Sequence, residues 1–268
     1  VEIHAENHPD ATHVCQDLRQ ANWTLLPLHD LLLASPSCQG FSPARGKDRP
    51  RHDAERATAW AVVDAVECCR PAFFAVENVP EFARWVLYPA WTAAMNALGY
   101  ALRPYLVDAA DHGVPQNRVR LIVVGSKSKH PIELDLPKRA HVGAESFVDF
   151  GAGQWSRVVD KAPNTIRRIR SGRASHGDRF VMPYYGSGSG LTGRCLSRPI
   201  GTITTKDRWG VVDGDRMRML SVPEAKQAMG FPTHYRLPEQ RVPAMRMLGN
   251  AVPPTVARDF VHAIKEAA

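Results

Sequence analysis

Two reactive side chains stand where short apolar segments of this chain end. Cys38 follows the apolar run 31–34 and a proline, and Glu77 directly follows a second apolar run, 73–76. Apolar runs of this length are typical of buried strands, and the carboxyl ends of parallel strands meet at one edge of a sheet. Open α/β sheets bind their ligands at that edge. The sequence therefore predicts a thiol and a carboxyl group at the same ligand-binding edge.

The thiol of Cys38 is suited to nucleophilic attack, and the carboxyl group of Glu77 is suited to proton transfer. A segment that carries Arg45 and Lys47 follows Cys38, and nearby positive charge favours the thiolate, which is the attacking form. Partial desolvation at the end of a strand favours the protonated form of Glu77, which can donate a proton near neutral pH. On the residues alone, two structural alternatives stay open: Cys38 packs as a small hydrophobe, or Glu77 pairs with an arginine.

Two arginines stand at the start of a third apolar run. Arg118 and Arg120 precede the run 121–125 and are separated by the apolar Val119. Alternate residues of a strand point to one face of the sheet, so we expect the two guanidinium groups on the same face. The structural alternative is a solvated strand edge.

Five segments, in order along the chain, resemble motifs of the C5-cytosine DNA methyltransferases of bacterial and phage type. They are the nucleophile motif at 36–39, the Glu-Asn-Val motif at 77–79, the Gln-x-Arg-x-Arg motif at 116–120, the block at 218–232 and the final motif at 249–254. One departure is Ser37, at a position where many members of the family have proline. Five motifs in order over nearly the whole chain leave little room for chance.

The resemblance implies transfer of a methyl group from S-adenosylmethionine to C5 of a cytosine in double-stranded DNA. In that reaction Cys38 adds to C6 of a flipped-out cytosine, and a protonated Glu77 bonds N3 and the N4 amino group. Arg120 would stabilise negative charge at O2, and Arg118 would hold a loop or the target phosphate.

The resemblance also assigns contacts to the cofactor: Asp17 near its adenine, Pro36 near the transferred methyl group and Asn250 near its methionine end. Predicted DNA contacts lie in the loop after the nucleophile, in an arginine-rich segment and where the chain returns from the recognition region. These residues are Gln39, Ser42, Arg45, Lys47, Arg167, Arg168, Arg170 and Thr204. For the arginines, phosphate contact is the functional interpretation and a solvated charged face is the alternative.

The first ten residues resemble the helix that follows the family's Gly-rich cofactor turn and its ribose-binding acidic residue. We therefore expect residues 1–268 alone to lack those motifs and to bind S-adenosylmethionine weakly. Alternatives to an active enzyme are a non-catalytic DNA-binding relative and one part of a split methyltransferase; an RNA-directed relative is a further alternative. An N-terminal segment and a cognate restriction endonuclease are the candidate protein partners.

The composition is typical of a globular protein that binds a polyanion. The chain has 34 Lys plus Arg against 27 Asp plus Glu, for a formal net charge of +7, which favours nucleic acid over an acidic partner. The five cysteines form no Cys-x-x-Cys pair and no Cys/His metal spacing, so we predict no metal site and a reducing, cytoplasmic setting. No apolar run approaches the roughly 18 residues that span a membrane. We expect a monomer.

Alternating strand and helix patterns predict an α/β fold. The expected architecture is a mostly parallel, Rossmann-like sheet of the S-adenosylmethionine-dependent methyltransferase type with a small target-recognition domain. The first part of the catalytic domain is predicted at 1–125, the target-recognition region at 126–200 and the return to the catalytic domain at 201–268. Strands are predicted at 12–15, 31–34, 72–76, 100–107, 119–125 and 202–206, and helices at 54–69, 91–98, 224–229 and 255–267.

Overall fold

The computed structural model describes residues 1–37, 57–184, 193–206 and 208–268. The chain forms two compact units. The first, here called the antiparallel-sheet unit, comprises Val1–Thr12, Ala109–Arg118 and Pro137–Asp259. The second, here called the mixed-sheet unit, comprises His13–Asp108, Val119–Leu136 and Phe260–Ala268.

Four strands build the mixed-sheet unit: β1 (Leu31–Ala34), β2 (Phe73–Asn78), β3 (Ala101–Asp108) and β4 (Val119–Ser126). Their order in the sheet is β1-β2-β4-β3. β1 and β2 are parallel, and β4 is antiparallel to both of its neighbours, so three of the four strands point the same way. The predicted α/β class with a mostly parallel sheet is confirmed, as are these four strands.

The helices that accompany this sheet include α2 (Thr58–Cys69) and α3 (Tyr88–Ala97). α2 ends at Arg70, which is left-handed at φ 48° and precedes a proline, and α3 ends just before Gly99 at φ 93°. Both helices pack on an aromatic core in which the indole N–H of Trp91 donates to the carbonyl of Ala59 at 2.9 Å.

Gly125 lies where an aromatic ring of the core packs directly against the backbone of the sheet. A Cβ atom at this position of β4 would stand 2.2 Å from the ring of Phe74 on the neighbouring strand β2. Only glycine leaves room for that ring. The ring of Tyr100, just before β3, contacts that of Phe74, and its hydroxyl donates to the carbonyl of Pro71 at 2.6 Å.

Four short strands form the sheet of the antiparallel-sheet unit: β5 (Ser156–Arg157), β6 (Arg179–Pro183), β7 (Trp209–Asp213) and β8 (Arg216–Met219). Their order is β5-β8-β7-β6, and every pairing is antiparallel. The strands β7 and β8 follow position 200 and still pair with strands that precede it. The predicted boundary at 200 therefore does not coincide with the edge of this sheet.

Helices accompany this second sheet as well. They are α1 (Glu2–Asn7), α4 (Pro163–His176), α5 (Val222–Ala228), α6 (Arg241–Asn250) and the first residues of α7 (Pro254–Ala267). On one face Ile166 and Ile169 of α4 pack against Phe180 and Met182 of β6. On the other face α5 and α6 bury Ala225 and Leu248.

Short 3-10 helices join these elements; they are Leu18–Gln20, Trp23–Leu25, Pro80–Arg84, Ala109–His112, Ala144–Ser146 and Val158–Asp160. Within the described part of the chain, none of the helices is both long and apolar enough to cross a membrane.

Two predicted strands do not form. Residues 12–15 are irregular and pair with none of the described strands, and a strand needs a neighbouring strand to satisfy its backbone. In the segment 202–206, the N–H of Ile203 donates instead to the side chain of Gln116 at 2.6 Å. A side-chain amide thus takes the place of a neighbouring strand there.

Candidate active site

The turn that leads from β1 to Cys38 is held by two side chains. Pro36 is buried, and its carbonyl accepts a hydrogen bond from the side-chain amide of Asn78 at 3.2 Å. The N–H of Ser37 donates to the hydroxyl of Thr58 at 3.1 Å. Cys38 itself, with Gln39, Ser42, Arg45 and Lys47, lies outside the described residues.

Glu77 and Arg120 form an ion pair at the end of β2. The Nε of Arg120 lies 3.0 Å from Oε1 of Glu77, and both side chains are about one-sixth exposed, at 17% and 16%. The pair forms because β4 lies beside β2 in antiparallel register. A carboxylate and a guanidinium that are adjacent and partly open to solvent can bind a polar ligand with both donor and acceptor groups.

Arg118 is buried, with only 2% of its surface exposed. Its guanidinium donates to the carbonyls of Ile203, Gly249 and Ala251 at 3.0, 2.9 and 2.9 Å. Arg118 therefore ties together two backbone segments of the antiparallel-sheet unit. The predicted grip on a loop remains compatible with these bonds, whereas a phosphate contact would require them to open.

Gln116 performs a similar function two residues earlier. Its side-chain N–H groups donate to the carbonyl of Ala228 at 3.1 Å and contact the sulfur of Met229 at 2.9 Å, while its oxygen accepts from Ile203. The Gln-x-Arg part of the motif thus braces the segments around 203, 228 and 250.

Asn250 is exposed at the end of α6, next to a close backbone approach. A Cβ atom at the preceding Gly249 would lie 2.2 Å from the nitrogen of Thr205, so only glycine fits there. Thr204 is half-buried and its hydroxyl donates to the carbonyl of Lys206 at 2.9 Å.

Asp17 caps the short helix Leu18–Gln20 and pairs with Arg19, whose Nη2 lies 2.5 Å from Oδ2. The hydrogen bonds from the side chain and backbone of Arg19 lower the pKa of Asp17 to about 2. The carboxylate is therefore ionised at neutral pH and still accepts further hydrogen bonds at its surface.

The arginines of α4 differ in their surroundings. Arg167 and Arg170 are exposed, whereas Arg168 is buried and donates to the carbonyl of Pro183. Burial lowers the pKa of Arg168. The predicted DNA contact of Arg168 requires correction, because its helical position turns the side chain into the unit rather than toward solvent.

The two residues that bond the Pro36–Ser37 peptide, Asn78 and Thr58, were not predicted as site residues. Asn78 stands in the Glu-Asn-Val motif, and a polar residue at the end of a strand that buries its neighbours is a usable signal. Thr58 gave no sequence signal, because its contact with Ser37 depends on where α2 begins relative to β1.

The chain matches known proteins over its full length. The profile of the C-5 cytosine-specific DNA methylase family matches residues 1–160 and 160–266. The Type II methyltransferase M.NlaX of Neisseria lactamica is 26% identical over 275 residues, which cover 100% of this chain and 85% of that protein. The Type II methyltransferase M.HhaI of Haemophilus parahaemolyticus is 26% identical over 255 residues, covering 88% and 76%.

Solved structures share the fold. An E. coli prophage protein described as a DNA modification methyltransferase matches with a TM-score of 0.68 at 20% identity, over 99% of this chain and 89% of that one. The methyltransferase EhMeth of Entamoeba histolytica matches with a TM-score of 0.64 at 14% identity, over 99% and 86%. With the family profile matched over nearly all of its residues, the chain belongs to the C-5 cytosine-specific DNA methylases and is a DNA (cytosine-5)-methyltransferase by class.

Proposed function

We propose that this methyltransferase acts on a flipped-out cytosine through a covalent adduct with Cys38. The observation that carries the proposal is the pairing of Glu77 with Arg120 at the end of β2, beside the turn that leads to Cys38. The hydrogen bond from Asn78 to Pro36 ties the strand of Glu77 to that turn. Attack at C6 is impossible within a base-paired stack, so the target base must leave the helix.

The chemistry assigned to these residues follows from the electronic structure of cytosine. The thiolate of Cys38 forms a bond to C6, and the electron pair of the C5–C6 double bond shifts so that C5 becomes nucleophilic. In this scheme the ion pair between Glu77 and Arg120 opens as the base enters. Glu77, once protonated, donates to N3 as negative charge develops there, and Arg120 stabilises charge at O2. C5 then bonds the transferred methyl group as that group leaves its donor. Water removes the C5 proton, and the electron pair of the C5–H bond re-forms the C5–C6 double bond as the thiolate of Cys38 leaves. N3 returns its proton to Glu77, which restores the aromatic ring.

The proposed methyl donor is S-adenosylmethionine, which supplies an electrophilic methyl group when it is bound. The chemistry of two described donors suits it. Asp17 offers an ionised carboxylate to an adenine amino group, and Asn250 offers an exposed amide to the polar methionine end. Pro36 would lie near the methyl group, as the resemblance implies.

The test replaces the nucleophile. Cys38→Ser should reduce methylcytosine formation on random-sequence DNA below detection and leave DNA binding intact, because a hydroxyl is too weak a nucleophile for the C6 addition. DNA that contains 5-fluorocytosine should trap a covalent complex with the parent protein, because fluorine cannot leave C5 as a cation. Peptide mapping should locate the trapped base on Cys38.

Cys195→Ser is the matched control, because Cys195 is a partly buried thiol of the antiparallel-sheet unit with no assigned role. It should keep activity and trapping. Substantial methyl transfer by Cys38→Ser, or methylated product without any trapped complex, would show that the adduct mechanism is wrong.

A further inference from the structure

Both polar groups of the peptide unit between Pro36 and Ser37, the carbonyl and the N–H, form hydrogen bonds with side chains. Its carbonyl oxygen accepts from Asn78 at 3.2 Å, and its N–H donates to Thr58 at 3.1 Å. The carbonyl and the N–H of a trans peptide point in opposite directions, so two such bonds fix the rotation of the plane between them. This is the last complete peptide bond before Cys38 among the described residues.

The two partners of this peptide come from different elements. Asn78 is 1% exposed at the end of β2, and its own oxygen accepts from the N–H of Val79 at 2.9 Å, which fixes the orientation of the amide. Thr58 is the first residue of α2, and the residue before it, Ala57, provides no side-chain cap. The hydroxyl of Thr58 thus contacts a segment 21 residues earlier in the chain.

We propose that Thr58 is a positioning residue for the nucleophile. Its hydroxyl, acting with Asn78, locks the Pro36–Ser37 peptide and thereby sets the direction in which the chain enters Cys38. The inference rests on the proposed role of Cys38. Thr58 acts through Ser37 and touches neither the base nor the methyl donor in this scheme.

The chemistry of position 37 makes the proposal specific. A serine there leaves both the φ angle and an N–H group to be restrained, and Thr58 restrains both with one bond. A proline at 37 would fix φ near −65° and would have no N–H to donate. The hydroxyl of Thr58 is therefore needed with serine at 37 and dispensable with proline at 37.

The first experiment removes the hydroxyl at constant shape. Thr58→Val should lower kcat and the rate of covalent trapping on 5-fluorocytosine DNA by about 10-fold, the scale of a lost hydrogen bond that misplaces a reacting group. KM for DNA should stay within about 2-fold, because the substrate contacts are unchanged. Thr58→Ser retains the acceptor and should restore the parent rate.

Thr92→Val is the matched control, because Thr92 lies on α3 of the same unit and its hydroxyl donates only locally, to the carbonyl of Pro89 at 2.9 Å. It should leave kcat unchanged. If Thr58→Val fails to fold, Thr58→Ala, which leaves space instead of placing a methyl group, is expected to show the same loss of kcat.

The deciding experiment is a double-mutant cycle with Ser37→Pro. Thr58→Val should cost about 10-fold with serine at 37 and less than about 2-fold with proline at 37, because the bond it removes no longer exists there. An equal loss in both backgrounds, or no loss with serine, would overturn the positioning role. Failure of the nucleophile hypothesis is separate: it would appear as retained activity in Cys38→Ser.

Discussion

At the scale of single residues, Glu77 and Arg120 carry the strongest geometric argument. Both are site residues that the resemblance implies, and the pairing of Glu77 with an arginine is the structural alternative that the sequence leaves open. The structure pairs Glu77 with Arg120. The ion pair at 3.0 Å depends on the pairing of β4 with β2. This pairing brings together two residues that are 43 positions apart in the chain. Which strands pair is determined by the topology of the sheet, and local sequence patterns do not indicate it.

Glu77→Gln should lower the rate of the chemical step by roughly 10²-fold, the scale of a positioned proton donor. The amide still bonds the base, so binding of DNA with an extrahelical cytosine should weaken less than turnover. Single-turnover methylation and binding titrations on the same DNA check both effects. Glu133→Gln is the matched control, because Glu133 also pairs with an arginine of this unit but is exposed. Equal losses of binding and turnover in Glu77→Gln would mark Glu77 as structural.

At the scale of elements, the sequence predicted those whose signals are local. The apolar runs became β1, β2, β3 and β4, and Gly99 ended α3 as expected. The predicted strands at 12–15 and 202–206 failed because a strand depends on a neighbour, which the pattern does not specify. The contacts of Thr58 and Gln116 could not be predicted either, because each side chain forms a hydrogen bond with a backbone group that is distant in sequence.

Helix α5 illustrates an element held by one buried carboxylate. Ser221 and Glu224 form a capping box, with Ser221 N–H donating to Oε2 of Glu224 at 2.7 Å. Arg218 donates two hydrogen bonds to the same carboxylate, at 2.7 and 2.6 Å, and both side chains are 3% exposed. Burial favours the neutral acid, but the bonds from Arg218, Ser221 and Asp149 outweigh it and hold the pKa of Glu224 below its usual range.

Glu224→Gln should lower the free energy of unfolding by about 3 kcal/mol at neutral pH, because it leaves the buried charge of Arg218 unpaired. Since the folded pKa of Glu224 lies below the unfolded one, its stabilisation is complete above the unfolded pKa and is lost as the pH falls through the folded pKa. The variant should therefore lose less stability on acidification than the parent. Denaturant unfolding between neutral and acid pH checks this, with the exposed Glu145→Gln as control. An unchanged acid dependence would contradict it.

At the scale of the whole molecule, the division of the chain was the least predictable feature. Composition placed a boundary at 200, yet β7 and β8, at 209–219, complete a sheet that begins at Ser156. The three-part domain organisation remains a prediction about function, because sheet pairing and functional region need not share boundaries. Net charge was informative at this scale, since the excess of +7 agrees with the DNA substrate class of the family.

The exposed arginines of α4 supply the last prediction. Replacing Arg167 and Arg170 together by alanine should weaken binding to every DNA sequence alike and reduce the salt dependence by about one ion for each phosphate group that the protein no longer binds. Arg168→Ala should instead lower thermal stability and leave the salt dependence unchanged, because its guanidinium is bonded within the unit. Binding titrations over a range of salt concentrations on several sequences separate these outcomes. The matched control replaces Arg236 and Arg258, which are 70% and 60% exposed, and should preserve the salt dependence of the parent. A reduction in affinity confined to particular sequences would show that Arg167 and Arg170 contact bases, because phosphate groups are the same in every sequence.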